Sequence, residues 1–259
     1  MKRMRVAISA GASGIGLAIA VSFLDAGAQV YICDLDETAL ADCRLRYPGI
    51  IAVKVDVGSP ANVDAFFDEI LAGGGHLDLL VNNAGVAGPT APLEKISIED
   101  WQNTVNIDLN SFFYCSRRAI PMIRKSDNGA IINIASNAAF FGFPLRSPYA
   151  ASKWAIIGLT KTMAMELGPD GIRVNALCPG SVEGQRIDSV IAKDADCRGM
   201  TNQEVADEYK SQSSLRTFVT TDDIVAMVQF LSSQAGRRIS GQAIGIDGHT
   251  EGLSLKMGV

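Results

Sequence analysis

Residues 8–16 read Ile8-Ser9-Ala10-Gly11-Ala12-Ser13-Gly14-Ile15-Gly16, and the parsing of this run decides the fold. Before it, residues 5–10 form a short apolar stretch of strand character. After it, residues 14–26 carry an apolar helical pattern closed by Gly27. In a strand–turn–helix unit, backbone N–H groups at the helix start can hold a phosphate, aided by the helix dipole. The glycines fall at 11, 14 and 16, whereas the dinucleotide fingerprint G-x-G-x-x-G has another spacing. An ordinary Gly-rich turn is the competing reading.

Outward from this unit the alternation continues. Residues 29–34, 51–55, 77–81, 130–134, 173–177 and 243–246 read as further strands. Helical patterns cover 37–46, 61–72, 148–168 and 222–232, with a long helix over 98–124 whose end Pro121 bends. Short apolar strands alternating with helices predict an α/β fold of Rossmann type. Its doubly wound, seven-stranded parallel sheet would carry helices on both faces. No linker or repeat divides residues 1–259, so one domain is expected. Residues 181–221 are polar and charged, and are expected as an irregular lid beyond the sheet's carboxyl edge, where such folds bind ligands.

Composition narrows the function. A net charge of −5 gives no electrostatic case for nucleic acid. Five cysteines, scattered and without a C-x-x-C pair, suit a reducing, cytoplasmic setting. The two histidines, His76 and His249, stand in no ligand-spaced cluster, so no metal site is expected. The basic start leads into an apolar run of only about five residues, too short for a signal peptide. No stretch approaches the ~20 apolar residues that span a membrane.

Three further features carry chemistry. Asp34 ends the second strand, where a carboxylate can accept hydrogen bonds from an adenosine ribose and repel a 2′-phosphate, favouring NAD over NADP. A solvated strand end or a cap on the next helix is the competing reading of Asp34. Ser13 stands where a basic residue would have met the 2′-phosphate. In Tyr149-Ala150-Ala151-Ser152-Lys153, residues four apart put a phenol and an ammonium on one helix face. Ser136 follows the strand over 130–134 and so lies at the sheet's carboxyl edge, where it would meet that pair.

Taken in order, these features resemble the short-chain dehydrogenase/reductase superfamily over roughly residues 4–250. The matching set is the glycine loop, Asp34, Asp56 in Val55-Asp56-Val57, Asn82-Asn83-Ala84-Gly85, Ser136, Tyr149-x-x-x-Lys153 and Pro179-Gly180. The resemblance implies an NAD(H)-dependent enzyme that interconverts a small secondary alcohol and its ketone by hydride transfer. Tyr149 would be the acid/base. Lys153 and the nicotinamide charge would favour its phenolate, and Ser136 would donate to the developing alkoxide. Gly11, Ser13, Gly14, Ile15 and Gly16 would cradle the pyrophosphate, with Asp34 and Leu35 at the ribose and Asp56 and Val57 at the adenine. Asn83, Ala84 and Gly85 would line the cleft. Tyr149 and Lys153 would reach the nicotinamide ribose, and Pro179, Gly180 and Val182 would face the nicotinamide. A homotetramer is implied, sharing faces of 98–124 and 149–168, with a second interface at 241–244 and the tail after Asp247.

The chain departs from the family pattern in places. Position 108, where Asn is usual, holds Asp108, which would keep a proton relay near Lys153. Gly184 stands where Thr often follows Pro179-Gly180, with Glu183 or Gln185 as substitutes. Aligned back from Gly16, Ala10 replaces the first family glycine, so Gly11 and not Ala10 is expected to be left-handed. For the substrate, Ser136, Arg146 and Arg186 are the candidates. The arginines read either as clamps for a carboxylate, phosphate or sulfonate or as solvated surface charges. Phe140, Phe141 and Phe143 read as pocket wall or core. Two rival functions stand beside the first. One is an NADPH-dependent ketoacyl-thioester reductase, disfavoured by Asp34. The other is a catalytically silent dinucleotide-binding regulator, disfavoured by the intact Ser136, Tyr149 and Lys153.

Overall fold

The computed structural model describes residues 3–251. Its strands are β1 (Arg5–Ser9), β2 (Gln29–Asp34), β3 (Ile50–Lys54), β4 (Leu79–Asn82), β5 (Ala130–Ile134), β6 (Arg173–Pro179) and β7 (Ala243–Ile246). They form one seven-stranded sheet in the order β3-β2-β1-β4-β5-β6-β7, every neighbouring pair parallel. The order reverses between β1 and β4, the switch point at which such sheets open a crevice.

The helices are α1 (Gly14–Asp25), α2 (Glu37–Arg46), α3 (Pro60–Ala72), α4 (Ile98–Val105), α5 (Ser111–Ile123), α6 (Ser147–Leu167), α7 (Gln185–Arg198), α8 (Asn202–Ser211) and α9 (Thr221–Ser232). β1, β4, β5 and β6 are buried at every residue, because helices cover both faces and no polar side is needed. On one face Ile8, Ile32, Val81 and Ile132 pack with Ile19 and Phe23 of α1 and Ile224 and Val228 of α9. On the other, Ala7, Tyr31, Leu80 and Ile131 meet Phe66 and Phe67 of α3, Ala119 of α5 and Met163 of α6. The register aligns Ser9 with Cys33, Asn82 with Asn133, and Ile134 with Leu177. The carboxyl ends of five adjacent strands thereby share one edge. Ser9, Asp34, Asn83, Ser136 and Pro179 are delivered there.

The structure corrects three expectations. The helix over 98–124 is not continuous: a π-turn, Asn106–Asn110, separates α4 from α5. The wider turn carries Asp108 inward to full burial. Pro121 lies inside α5, which runs on to Ile123, so the local distortion lies at 106–110 and not at the proline. Residues 181–221 are not an irregular lid either, since α7 and α8 occupy most of them. Their apolar faces are small, and Ile191, Ala195 and Val205 form a cluster of their own. Thr201 and Glu204 cap α8 reciprocally, a pattern readable as S/T-x-x-E in the sequence. The tail expected at a second interface lies, from residue 252 on, outside the described residues.

Candidate active site

The glycine loop is held from below. The Asn83 side-chain amide donates to the carbonyls of Ser9 (3.1 Å) and Ala10 (2.9 Å). Ser9 Oγ accepts the backbone N–H groups of Asn83 (2.9 Å) and Ala84 (3.1 Å). Gly11 N donates to the carbonyl of Cys33 at 3.0 Å. Under these ties it is Ala10 that turns left-handed, at φ 51°, and not Gly11, which overturns the expected assignment. Gly11 is needed for close approach instead: a Cβ there would lie 2.6 Å from Ile32 Cβ. Gly16 is tighter still, with a would-be Cβ 2.2 Å from the Ala10 carbonyl oxygen.

Ser13 is the N-cap of α1, yet its side chain makes no capping bond and no acid stands in the first turn. The first-turn N–H groups, flanked by Gly14 and Ile15, are therefore free to receive a phosphate. Asp34 is not the cap of the next helix. Asp36 takes that role, accepting from Thr38 N and Ala39 N. Asp34 instead accepts from Ala12 N and Asp36 N, each at 3.1 Å, which fixes its carboxylate beside the glycine loop. Leu35 beside it is exposed. Arg44 of α2 donates to Glu37 and to the Ala52 carbonyl. Asp56 is exposed and accepts from Gly58 N at 2.8 Å, while Val57 is buried. This loop, Asp34 and the uncapped helix start fit a dinucleotide.

At the other end of the crevice, α6 begins with Ser147-Pro148, proline suiting a helix's first turn. Tyr149 follows half-buried, and Lys153 one turn later is buried at 4% exposure. The Lys153 ammonium lies 5.5 Å from the ring centroids of both Tyr149 and Phe112. It also points at the Ile134 carbonyl, 3.4 Å away. Ser136 stands two residues further on, half-buried, its Oγ accepting from Ala138 N at 3.1 Å. The lysine thus lies against both the Tyr149 ring and the strand end that leads to Ser136. Cys178 lies beneath Ser136, where burial pushes its thiol up to about 12.

Asp108 is fully buried. Its Oδ1 accepts from Val86 N at 2.7 Å, and its Oδ2 has no partner. The Lys153 ammonium and Asp108 Oδ1 meet at Gly85, 3.3 and 3.5 Å from the point a Cβ would occupy. Burial raises the Asp108 carboxyl above the usual range, opposed first by Lys153 and then by the Val86 N–H, Arg186 and Arg146.

The two arginines separate. Arg146 is half-buried rather than a solvated surface charge, with its guanidinium carbon 5.3 Å from the ring centroids of both Phe143 and Tyr149. Arg186 is exposed in the first turn of α7. Phe143 packs edge-on to Tyr149 at 6.4 Å, whereas Phe140 joins the small core of Phe112 and Ile156. Phe141 contacts Phe140 edge-on. On the facing wall, Gly180 N donates to the Ile246 carbonyl at 2.9 Å after Pro179 ends β6. Val182 forms a parallel bridge with Val219. Gly184 turns the chain into α7 at φ 133°, a conformation any threonine would resist. Ser9 and Phe112 were not among the expected site residues. Ser9 carried a signal, standing where the family has threonine; Phe112 carried none.

A family model described as enoyl-(acyl carrier protein) reductase matches residues 9–250. The chain is 32% identical over 253 residues to a D-beta-hydroxybutyrate dehydrogenase of Rhizobium meliloti, covering 93% of this chain and 96% of that one. It is 33% identical over 246 residues to 3beta-hydroxysteroid dehydrogenase 2 of Eggerthella lenta, covering 93% and 92%. A variant actinorhodin polyketide ketoreductase solved with NADPH superposes at a TM-score of 0.88, with 29% identity over 95% of this chain and 96% of the other. These relatives are named for a hydroxy acid, a steroid and a polyketide.

Proposed function

The chain belongs to the short-chain dehydrogenase/reductase superfamily of oxidoreductases, in its short single-domain form, and from that premise we propose that it is NAD(H)-dependent and interconverts a small secondary alcohol and its ketone. One observation carries the reading. The buried Lys153 ammonium lies against the Tyr149 ring and the strand end that bears Ser136. A binding protein has no use for that trio.

A secondary alcohol releases hydride only as its proton is removed, so a base must touch the hydroxyl. Tyr149 is that group: its phenolate oxygen takes the proton on oxidation and returns it on reduction. The Lys153 ammonium lies 5.5 Å from the centre of that ring. Ser136 Oγ accepts from Ala138 N and donates to Asn137 Oδ1 over a long 3.4 Å, a bond the hydroxyl would exchange for one to the substrate oxygen. Asp108, whose Oδ1 meets the Lys153 ammonium at Gly85, would hold the proton path inward of the lysine. The bound NAD supplies the hydride acceptor or donor. Asp34, fixed by Ala12 N beside the glycine loop, supports NAD over NADP.

The exposed Ile98, Trp101, Phe113, Trp154 and Met165 on α4, α5 and α6 support a homotetramer built on those helices. Among the described residues, no helix is long and apolar enough to cross a membrane, and no group of three or more His, Cys, Asp or Glu could hold a metal.

The test is Tyr149→Phe, assayed by NADH absorbance on a panel of secondary alcohols with NAD and NADP in parallel. Turnover should fall by about 10²–10⁴-fold with NAD binding retained. Full activity of the variant would remove Tyr149 from the chemistry, and a clear preference for NADP would overturn the reading of Asp34.

A further inference from the structure

Two arginines on the substrate side have no acid partner. Among the described residues, neither Arg146 nor Arg186 forms an ion pair, although Arg44, Arg117, Arg124 and Arg198 all do. Arg146 uses Nη2 on the Ala87 carbonyl at 2.6 Å, while its Nε is buried without a partner. A half-buried guanidinium with an idle donor is costly unless an anion completes it. Its place on the Tyr149 ring is also specific, because that ring carries the reacting hydroxyl.

Arg186 is set where a cation is disfavoured by the helix dipole, in the first turn of α7. Its field nonetheless reaches Arg146, opposing that residue's charge second only to burial. The half-buried Tyr209 of α8 acts on the Arg146 charge in the opposite sense, favouring it. The acid in that field, Asp108, is fully buried, with Oδ1 engaged by Val86 N.

We propose that Arg146 and Arg186 form an anion subsite, so that the alcohol or ketone turned over here carries a carboxylate or phosphate a few bonds from its reacting carbon. The inference rests on the hydride-transfer reading and adds the substrate class. A guanidinium held on the catalytic ring leaves room for only a short spacer between anion and carbinol. It can meet two anionic oxygens in its plane, and Arg186 can close over them from α7. The substrate would then be oriented before the proton moves.

The experiment reads binding apart from turnover. NADH-loaded protein, in which alcohol oxidation cannot follow, is titrated calorimetrically with 3-hydroxybutyrate against its methyl ester, and with glycerol 3-phosphate against glycerol. One anion should bind at least about 30-fold more tightly than its neutral counterpart, and the pair that does so identifies carboxylate or phosphate. Arg146→Gln and Arg186→Gln should each cut that preference by about tenfold or more, with Arg146→Lys in between. In turnover assays the same loss should fall on KM for the acid, with KM for NAD unmoved. Equal binding of anion and neutral partner overturns the subsite, as does an undiminished preference in both glutamine variants or a shift confined to NAD. Absence of NADH formation with every alcohol would sink the hydride-transfer reading instead, whatever the calorimetry shows.

Discussion

The two ends of the crevice are built differently. The glycine-loop end rests on buried strands, on the Asn83 to Ser9 hydrogen bonds across the switch point, and on the bond from Gly11 to Cys33 of β2. The α7–α8 end rests on a cluster of its own around Ile191, Ala195 and Val205, clothed in exposed charge. A site that grips a fixed cofactor gains from preorganised backbone. A site that admits and releases substrate needs a segment of lower local stability. On the proposed reading, the densely hydrogen-bonded end would hold the cofactor and the separately packed α7–α8 end would admit the substrate.

Equal truncations at the two ends should have unequal effects. Val81 in β4 and Val205 in α8 are both fully buried. Val81→Ala should cost about 2 kcal/mol of global stability, lowering the thermal midpoint by roughly 4–8 °C. Val205→Ala should leave the midpoint nearly in place and speed amide exchange in α7 and α8. Its kinetic signature should be a raised KM for the alcohol. Equal midpoint losses would show that α7 and α8 unfold with the sheet, and the contrast would fail.

A smaller effect is expected at Asp108. Burial raises its carboxyl above the usual range, so its charged form burdens the folded state. That burden is absent below the unfolded value near 3.9 and grows as pH rises through the higher native value. Asp108→Asn should therefore stabilise the protein at pH 8 by about 2–4 °C, the shift produced by about 1 kcal/mol, and hardly at all at pH 4. A midpoint gain independent of pH would mean that the charge is not the cause. The same variant should change the pH profile of turnover if Asp108 holds the proton path.

The smallest effect belongs to Ala10. Its left-handed backbone costs roughly 1–2 kcal/mol, and glycine would relieve this while adding ~0.5–1 kcal/mol of unfolded-chain entropy. Ala10→Gly should raise stability by less than about 1 kcal/mol, read from denaturant midpoints. A loss would indicate that the Ala10 methyl contributes packing worth more than the strain.

Much of the fold was legible because each strand and helix advertises itself within its own segment. β2, β5 and β7 lie where their apolar runs placed them, and α2 spans the expected residues. Ser136, Tyr149 and Lys153 were legible for the same reason, as a strand end and one helix face. Other features depend on partners far along the chain. The left-handed turn settled on Ala10 because Asn83, 73 positions away, holds its carbonyl. α7 and α8 were hidden because their apolar residues are few and pack mainly on one another.

The α/β alternation, the family and the candidate residues Ser136, Tyr149 and Lys153 were therefore readable from the sequence alone. Local periodicity and motif spacing encode these directly. Only the tertiary structure decided that Asp36 and not Asp34 caps α2, and that a π-turn buries Asp108. It likewise decided that Arg146 lies on the Tyr149 ring with a donor unfilled. In these cases long-range hydrogen bonds and burial choose among conformations that the local sequence leaves close in energy.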